Sequence, residues 1–312
     1  MTMIEIKDFS TWELYDGFAE GSGRSEKLWL KSKESQIGLF KFPKIDPVDN
    51  CETTEHVSEH LAHKIGEILG VPTARVEIGT YNNRIGCMSY FVCESNEVLQ
   101  EGIGFISGKY PSFNAETMRD EENDRYYCIE HILNSVPKGM PNRIWIEMMI
   151  FDFLIGNADR HQSNWALLVK VTVGKKIEFR LRQCPLYDNG SSLCCYVNKE
   201  QVTGLLGKDK VRFEALVDTK SLSMIRVDGT EKRRPTHRAV IEHLFRKYPA
   251  ALEIASRFSE KLNDQTICAL LDEYPEGILN AEKKELIRRY VCRKLEIMEK
   301  VAKEVVRSET TE

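Results

Sequence analysis

The chain has 312 residues, 42% hydrophobic and 29% charged, enough apolar content to bury the core of one large bilobal domain or two ordinary ones. Its formal net charge of -4 argues against broad nucleic-acid binding, which needs a basic surface to neutralise phosphates. Nine scattered cysteines, Cys51, Cys87, Cys93, Cys128, Cys184, Cys194, Cys195, Cys268 and Cys292, include no C-x-x-C pair and so predict neither a disulfide framework nor a zinc site, but thiols in a reducing cytoplasm.

Residues 1–8 lack the basic start and apolar run of a signal peptide, and no stretch approaches bilayer length; the expectation is a cytoplasmic protein. A small-residue loop with Gly21, Ser22 and Gly23 precedes Leu28-Trp29-Leu30, a polar turn, and Ile37-Gly38-Leu39-Phe40-Lys41-Phe42. Glycines there let backbone N–H groups approach phosphate oxygens with no Cβ in the way. A strand-borne Lys41 among apolar neighbours needs something negative to meet its ammonium. After a turn-rich link, Val57, Leu61, Ile65, Ile68 and Leu69 space an apolar helical stripe, which Gly70 and Pro72 terminate. Glu55 and Glu59 stand one turn apart on it, and Glu59 is favoured as the partner of Lys41. The same helix spells His56-x-x-Glu59-His60, a zinc-protease pattern that still needs a third ligand from elsewhere.

Residues 75–81 and 84–92 predict two strands joined at Asn82-Asn83, which complete an antiparallel sheet. Residues 111–124 read as an exposed polar connection, and 126–133 and 142–154 as helices, the second apolar on most sides and so destined for a core. A hairpin over 165–169 and 177–181 and helices over 236–248, 250–262 and 281–305 follow, while the basic patch 231–235 reads as a solvated loop.

Two acidic residues close apolar runs: Asp159, with Asn164 five positions on, and Asp188, after a gap of 29 residues that fits a hairpin. Taken singly, each reads as turn chemistry. Together, and in this order, they have the layout of a phosphotransfer site: one Asp at the acceptor hydroxyl, and an Asn and a second Asp as hard oxygen ligands for Mg²⁺. The expected fold class is α+β, bilobal and protein-kinase-like, with residues 1–95 as an antiparallel-sheet small lobe and 96–312 as a mostly helical large lobe.

Gly156-Asn157-x-Asp159-Arg160-His161-x-x-Asn164, Pro185-Leu186-Tyr187-Asp188, the Leu39-Phe40-Lys41-Phe42-Pro43 strand and Glu59 followed by Leu69-Gly70-Val71-Pro72 resemble the HipA-like serine/threonine kinases, bacterial proteins often encoded as toxins. The resemblance covers about the first two-thirds of the chain. It implies a kinase fold, ATP with Mg²⁺, a protein substrate with a Ser or Thr acceptor, and autophosphorylation in the Gly-rich loop, where Ser22 and Ser25 stand. The catalytic set it implies is Asp159 and Lys41, with Gly21, Ser22, Gly23, Lys41 and Glu59 at the nucleotide and Asn164 and Asp188 at the metal. The chain is shorter than the longer members, so it reads as a compact version that leaves open an antitoxin partner. Asp159-Arg160-His161 reverses the His-Arg-Asp order of ordinary protein kinases, so Arg160 and His161 inherit no role by position. A phosphoinositide-like lipid kinase, a small-molecule kinase and a nucleotide-binding pseudokinase acting as an interaction module stay open as rivals. No amphipathic basic helix points to a membrane surface.

Overall fold

Alternating apolar residues build the first sheet. In the computed structural model, which describes residues 3–17, 26–46, 50–173 and 177–309, it contains β1 (Lys7–Asp8), β2 (Glu13–Leu14), β3 (Lys27–Lys31), β4 (Ile37–Lys41), β5 (Val76–Tyr81) and β6 (Arg84–Tyr90). The spatial order is β1-β5-β6-β4-β3-β2, with β1 parallel to β5 and the other neighbours antiparallel. Asn82 and Asn83 both take left-handed backbone, φ 50° and 64°, as a tight two-residue hairpin turn requires. Phe9, Leu30, Phe40, Phe42 and Met88 bury together.

Helix α1 (Glu55–Leu69) follows β4 in the chain and packs on β5 and β6. Its Val57, Leu61, Ile65 and Leu69, four residues apart, are all buried, the stripe expected of a helix face turned to a sheet. Gly70, at φ 72°, ends it in left-handed backbone, and the Val71 N–H closes onto the Gly66 carbonyl at 2.9 Å.

The chain groups into two compact units. The first holds the sheet and α1 (up to Val92), together with Tyr187–Phe213 and Leu262–Cys292. The second takes Cys93–Leu186, Glu214–Lys261 and the chain from Arg293. Its elements begin with β7 (Glu97–Glu101), α2 (Gly102–Lys109), the small sheet of β8 (Phe113–Asn114), β9 (Arg119–Asp120) and β10 (Arg125–Tyr126), then α3 (Ile129–Ser135) and α4 (Arg143–Ile155). The hairpin of β11 (Ala166–Val173) and β12 (Ile177–Gln183) pairs with β7 through β11. Later in the chain, α5 (Lys199–Leu206), nearly all of α6 (Lys210–Glu214), α9 (Asp264–Asp272) and the start of α10 (Ala281–Glu309) belong to the first unit, while a π-helical turn at Ala215–Thr219, α7 (His237–Lys247), α8 (Pro249–Lys261) and the rest of α10 belong to the second. α4 is the centre of the second unit's core. Trp145, Met148, Met149, Ile150, Phe151 and Phe153 are all buried, and α7 and α8 pack against it.

Three sequence expectations need correction. Residues 111–124 are not a plain exposed connection: β8 and β9 lie there, and Asp120 is fully buried between the Ser112 hydroxyl and the Asn123 amide. The helix expected from residue 126 begins at Ile129, because Arg125–Tyr126 pairs with β9 as β10. The patch 231–235 is not wholly solvated. Arg234 is half-buried and donates to the carbonyls of Ser223 at 3.0 Å and Leu222 at 2.9 Å.

Burial sets the acid response. His56 and His60 on α1 are buried, and burial depresses each imidazole from 6.5 to about 4; His237, on α7 in the other unit, is pushed down to about 3 by burial, with the Lys294 charge adding to it. Below pH 6.5 the unfolded chain therefore takes up protons that the folded chain refuses, and stability falls as pH drops from about 6.5 towards 4. Each histidine contributes about 2–3 kcal/mol of loss at the acid end. Thermal melts between pH 7 and 4.5 should show Tm falling steeply, with a shallower fall in His56→Asn; an identical slope in that variant would exclude the assignment.

Candidate active site

On the first unit the carboxylates converge on one lysine. Lys41 ends β4, and its Nζ donates to Glu59 Oε1 at 2.5 Å and to Asp188 Oδ1 at 2.8 Å. Its side chain is 17% exposed. Burial works against the ammonium, but the charges of Asp188 and Glu59 more than offset it and hold the Lys41 pKa above the ordinary lysine value. Glu59 is itself 3% exposed, and its second oxygen accepts the Asn189 N–H at 2.9 Å, so α1 is tied to the segment after Asp188 as well as to the strand.

The choice between the two glutamates follows from geometry. Glu55, one turn earlier, accepts instead from Lys44 Nζ at 2.8 Å and from the Tyr196 hydroxyl at 2.7 Å. In the zinc-like His56-x-x-Glu59-His60 pattern, Glu59 is thus committed to Lys41, and His60 Nδ1 pairs with the Tyr274 hydroxyl at 2.7 Å. Asp188 takes left-handed backbone at φ 56°, a conformation that Asp tolerates better than most residues. Its side chain is 46% exposed, so a carboxylate oxygen can reach a ligand. Sequence reading missed Lys27. It lies directly opposite Lys41 in the β3–β4 ladder, and opposed residues project to the same face. Burial pulls its pKa down while the Asp188 charge pulls it up. Two ammonium groups and a carboxylate on one face can hold a polyanion together with a cation.

On the second unit the loop after α4 is braced from within. Gly156, at φ 68°, ends α4, and Asn157 N–H bonds back to the Asp152 carbonyl at 2.9 Å. The buried Arg160 guanidinium grips the buried Asp152 carboxylate through Nη2 to Oδ1 at 2.8 Å and Nε to Oδ2 at 3.0 Å. Its Nη1 donates to the Asn164 carbonyl at 2.7 Å. Burial raises the Asp152 pKa, and Arg160 opposes that. Removing one partner of such a pair typically destabilises by about 3–5 kcal/mol.

Asn157 Oδ1 accepts the Asp159 N–H at 3.1 Å, and Asn164 Nδ2 donates to the Asp159 carbonyl at 2.8 Å. The Asn164 nitrogen is therefore committed inside the loop, and its side-chain oxygen is the atom chemically able to meet a cation. His161 stays within the loop, its Nδ1 accepting from Ser163 N–H at 3.2 Å. Arg234 donates to the Ala158 carbonyl. Burial lowers its pKa and the Asp159 charge works the other way, so a guanidinium stands in the field of Asp159. Asp152, Arg160 and Arg234 escaped sequence reading. The one available signal was an acid in the apolar second half of α4, with an arginine eight residues on.

The structure thus gathers Lys41, Glu59 and Asp188 in one cluster, and Asp159 and Asn164 in another. Gly21, Ser22, Gly23 and Ser25 lie outside the described residues.

No family model matches the chain. The serine/threonine-protein kinase CtkA of Helicobacter pylori is 28% identical over 192 residues, 60% of this chain and 54% of that protein. The match therefore spans about half the length of that relative. Among solved structures, the chain is similar to a Helicobacter pylori proinflammatory kinase CtkA, with a TM-score of 0.76 at 18% identity over 97% of this chain and 99% of that one. It is also similar to HipA from Shewanella oneidensis MR-1, solved with HipB and operator DNA, with a TM-score of 0.55 at 13% identity over 95% of this chain and 67% of that one. The fold is the mixed α+β, protein-kinase-like fold of CtkA and HipA, which agrees with the resemblance carried by the motifs.

Proposed function

We propose that this CtkA-like chain is an ATP- and Mg²⁺-dependent serine/threonine protein kinase. The observation that carries the reading is the Lys41–Glu59 ion pair with Asp188 on the same ammonium. A lysine fixed by a helix glutamate is what holds nucleotide phosphates in kinases, and the pairing is required for activity. Similarity to CtkA supports the same reaction.

In this reading Lys41 binds the phosphates and Glu59 keeps its ammonium in place. Asp159 orients the acceptor hydroxyl and takes its proton. Asn164 and Asp188 fit Mg²⁺ as hard oxygen donors, an amide oxygen and a half-exposed carboxylate. When bound, the ion supplies neutralisation of the phosphate charge. Residues 1–95 serve as the small lobe over the nucleotide, with Gly21, Ser22 and Gly23 at its phosphates, and 96–312 as the large lobe. Autophosphorylation on Ser22 or Ser25 would put negative charge where ATP phosphates bind and switch the enzyme off. The HipA likeness suggests a toxin role and a partner of the antitoxin kind; the net charge of -4 speaks against direct binding to nucleic acid. A cytoplasmic setting suits nine free thiols, and no helix among the described residues is long and apolar enough to cross a membrane.

The test is incubation of the purified chain with Mg²⁺, γ-labelled ATP and a generic protein acceptor, followed by mass spectrometry. Label on Ser or Thr, with phosphate on Ser22 or Ser25, is expected. Failure to label itself or any protein, with a Tm that ATP still raises, leaves a pseudokinase; label only on phosphoinositide vesicles or on a small molecule transfers the reading to those substrates; no label and no Tm rise ends it.

A further inference from the structure

We infer that Lys294, Ser221 and His237 form a polarised hydrogen-bond relay that fixes the backbone of Asn157, which makes His237 a positioning residue for Asp159. All five residues belong to the second unit. Lys294, on α10, is fully buried, its Nζ 4.5 Å from the centre of the Phe153 ring and 2.8 Å from Ser221 Oγ. Ser221 Oγ is in turn 3.0 Å from His237 Nδ1, and His237 Nε2 is 2.9 Å from the Asn157 carbonyl oxygen.

Chemistry sets every direction in this chain. A carbonyl oxygen only accepts, so His237 Nε2 carries the hydrogen that goes to Asn157. Burial keeps the ring neutral, so Nδ1 is bare and accepts from the Ser221 hydroxyl, whose oxygen accepts in turn from Lys294 Nζ. A charged first donor polarises each later bond in a low-dielectric interior, so the last link is stronger than an isolated histidine would make it. Ser221 and His237 are set face to face by the backbone: His237 N–H bonds to the Ser221 carbonyl at 2.8 Å, beside the Leu222–Thr236 bridge.

The relay ends on the residue that orients Asp159. Asn157 donates to Asp152 Oδ1 at 3.1 Å and accepts the Asp159 N–H at 3.1 Å. With its carbonyl held by His237, both ends of its side chain and its backbone are fixed, and a shift at Asn157 moves Asp159 with it. Misplacing a reacting group by about 1 Å can lower a rate on the order of 10²-fold. The activity readout of this inference rests on the kinase reading.

Ser221→Ala cuts both inner links, Lys294→Met removes the charge while keeping length beside Phe153, and Ser221→Thr restores the hydroxyl. Both cutting variants should lower kcat by roughly tenfold or more with KM for ATP within about twofold, and Ser221→Thr should recover most of the rate. The ¹⁵N spectrum of wild-type His237 should show hydrogen on Nε2, and hydrogen exchange at the Asp159 amide should quicken in both cutting variants. A hydrogen on Nδ1, or a lowered Tm with kcat per folded molecule and Asp159 exchange unchanged, overturns the relay. If Ser221→Ala does not fold, Lys294→Met and the wild-type tautomer decide. If the wild type transfers no phosphate, the kinase reading fails, while the tautomer and the exchange still judge the relay.

Discussion

Replacing Asp159 with alanine should lower the phosphotransfer rate about 10³-fold, within the range of roughly 10²–10⁴ that a positioned acid or base contributes, while leaving ATP affinity within about threefold. The separation follows from what each bond does. The loop is held by the Asp152–Arg160 pair, the Asn157 clip and Arg234 on the Ala158 carbonyl. Asp159 enters it through backbone N–H and C=O, and alanine keeps both, so the fold around it survives. What disappears is the carboxylate, which in the proposed reaction accepts the hydroxyl proton. Initial rates with labelled ATP and a nucleotide titration on the same preparation measure both quantities. A rate within tenfold of wild type would remove Asp159 from the chemistry.

Asp188→Asn should abolish the Mg²⁺-dependent part of ATP binding, weakening affinity at saturating Mg²⁺ by roughly 10²-fold or more, since a carboxylate supplies charge to the ion that an amide does not. Asparagine is the discriminating substitution because the residue sits at φ 56°. Asn accepts that backbone readily, whereas alanine adds strain of about 1 kcal/mol that has nothing to do with the metal. Lys41 keeps its bond to Glu59, so its ammonium stays placed, and metal-free ATP binding should change little. Titrations with Mg²⁺ and with EDTA separate the two contributions. If affinity in Mg²⁺ is unaffected by the amide, Asp188 is a structural partner of Lys41 and not a metal ligand.

Much of the local architecture was legible because it depends on neighbours in the chain. The α1 stripe with its Gly70 stop, the Asn82-Asn83 hairpin and the apolar α4 each rest on contacts a few residues apart, where periodicity and turn chemistry act directly. Strand β7 was invisible for the opposite reason. It is polar, and it exists as a strand because it pairs with β11, so that Leu168 stands opposite Leu99. The two-residue strands β1 and β2 are likewise too short to show a period and are made by the sheet they join.

By itself the sequence determined which chemistry could be present: a strand lysine, helix acids, and Asp159, Asn164 and Asp188 in that order, because residue type and spacing along one loop or helix are properties of the chain. Only the tertiary structure decided the partners. Glu59 and not Glu55 meets Lys41 because the rotation of α1 against the sheet aims one carboxylate at the end of β4. Arg160 finds Asp152, and Lys294 reaches Asn157 through Ser221 and His237, because a charge or imidazole taken out of water must find a partner in three dimensions, and that partner can lie anywhere in the chain.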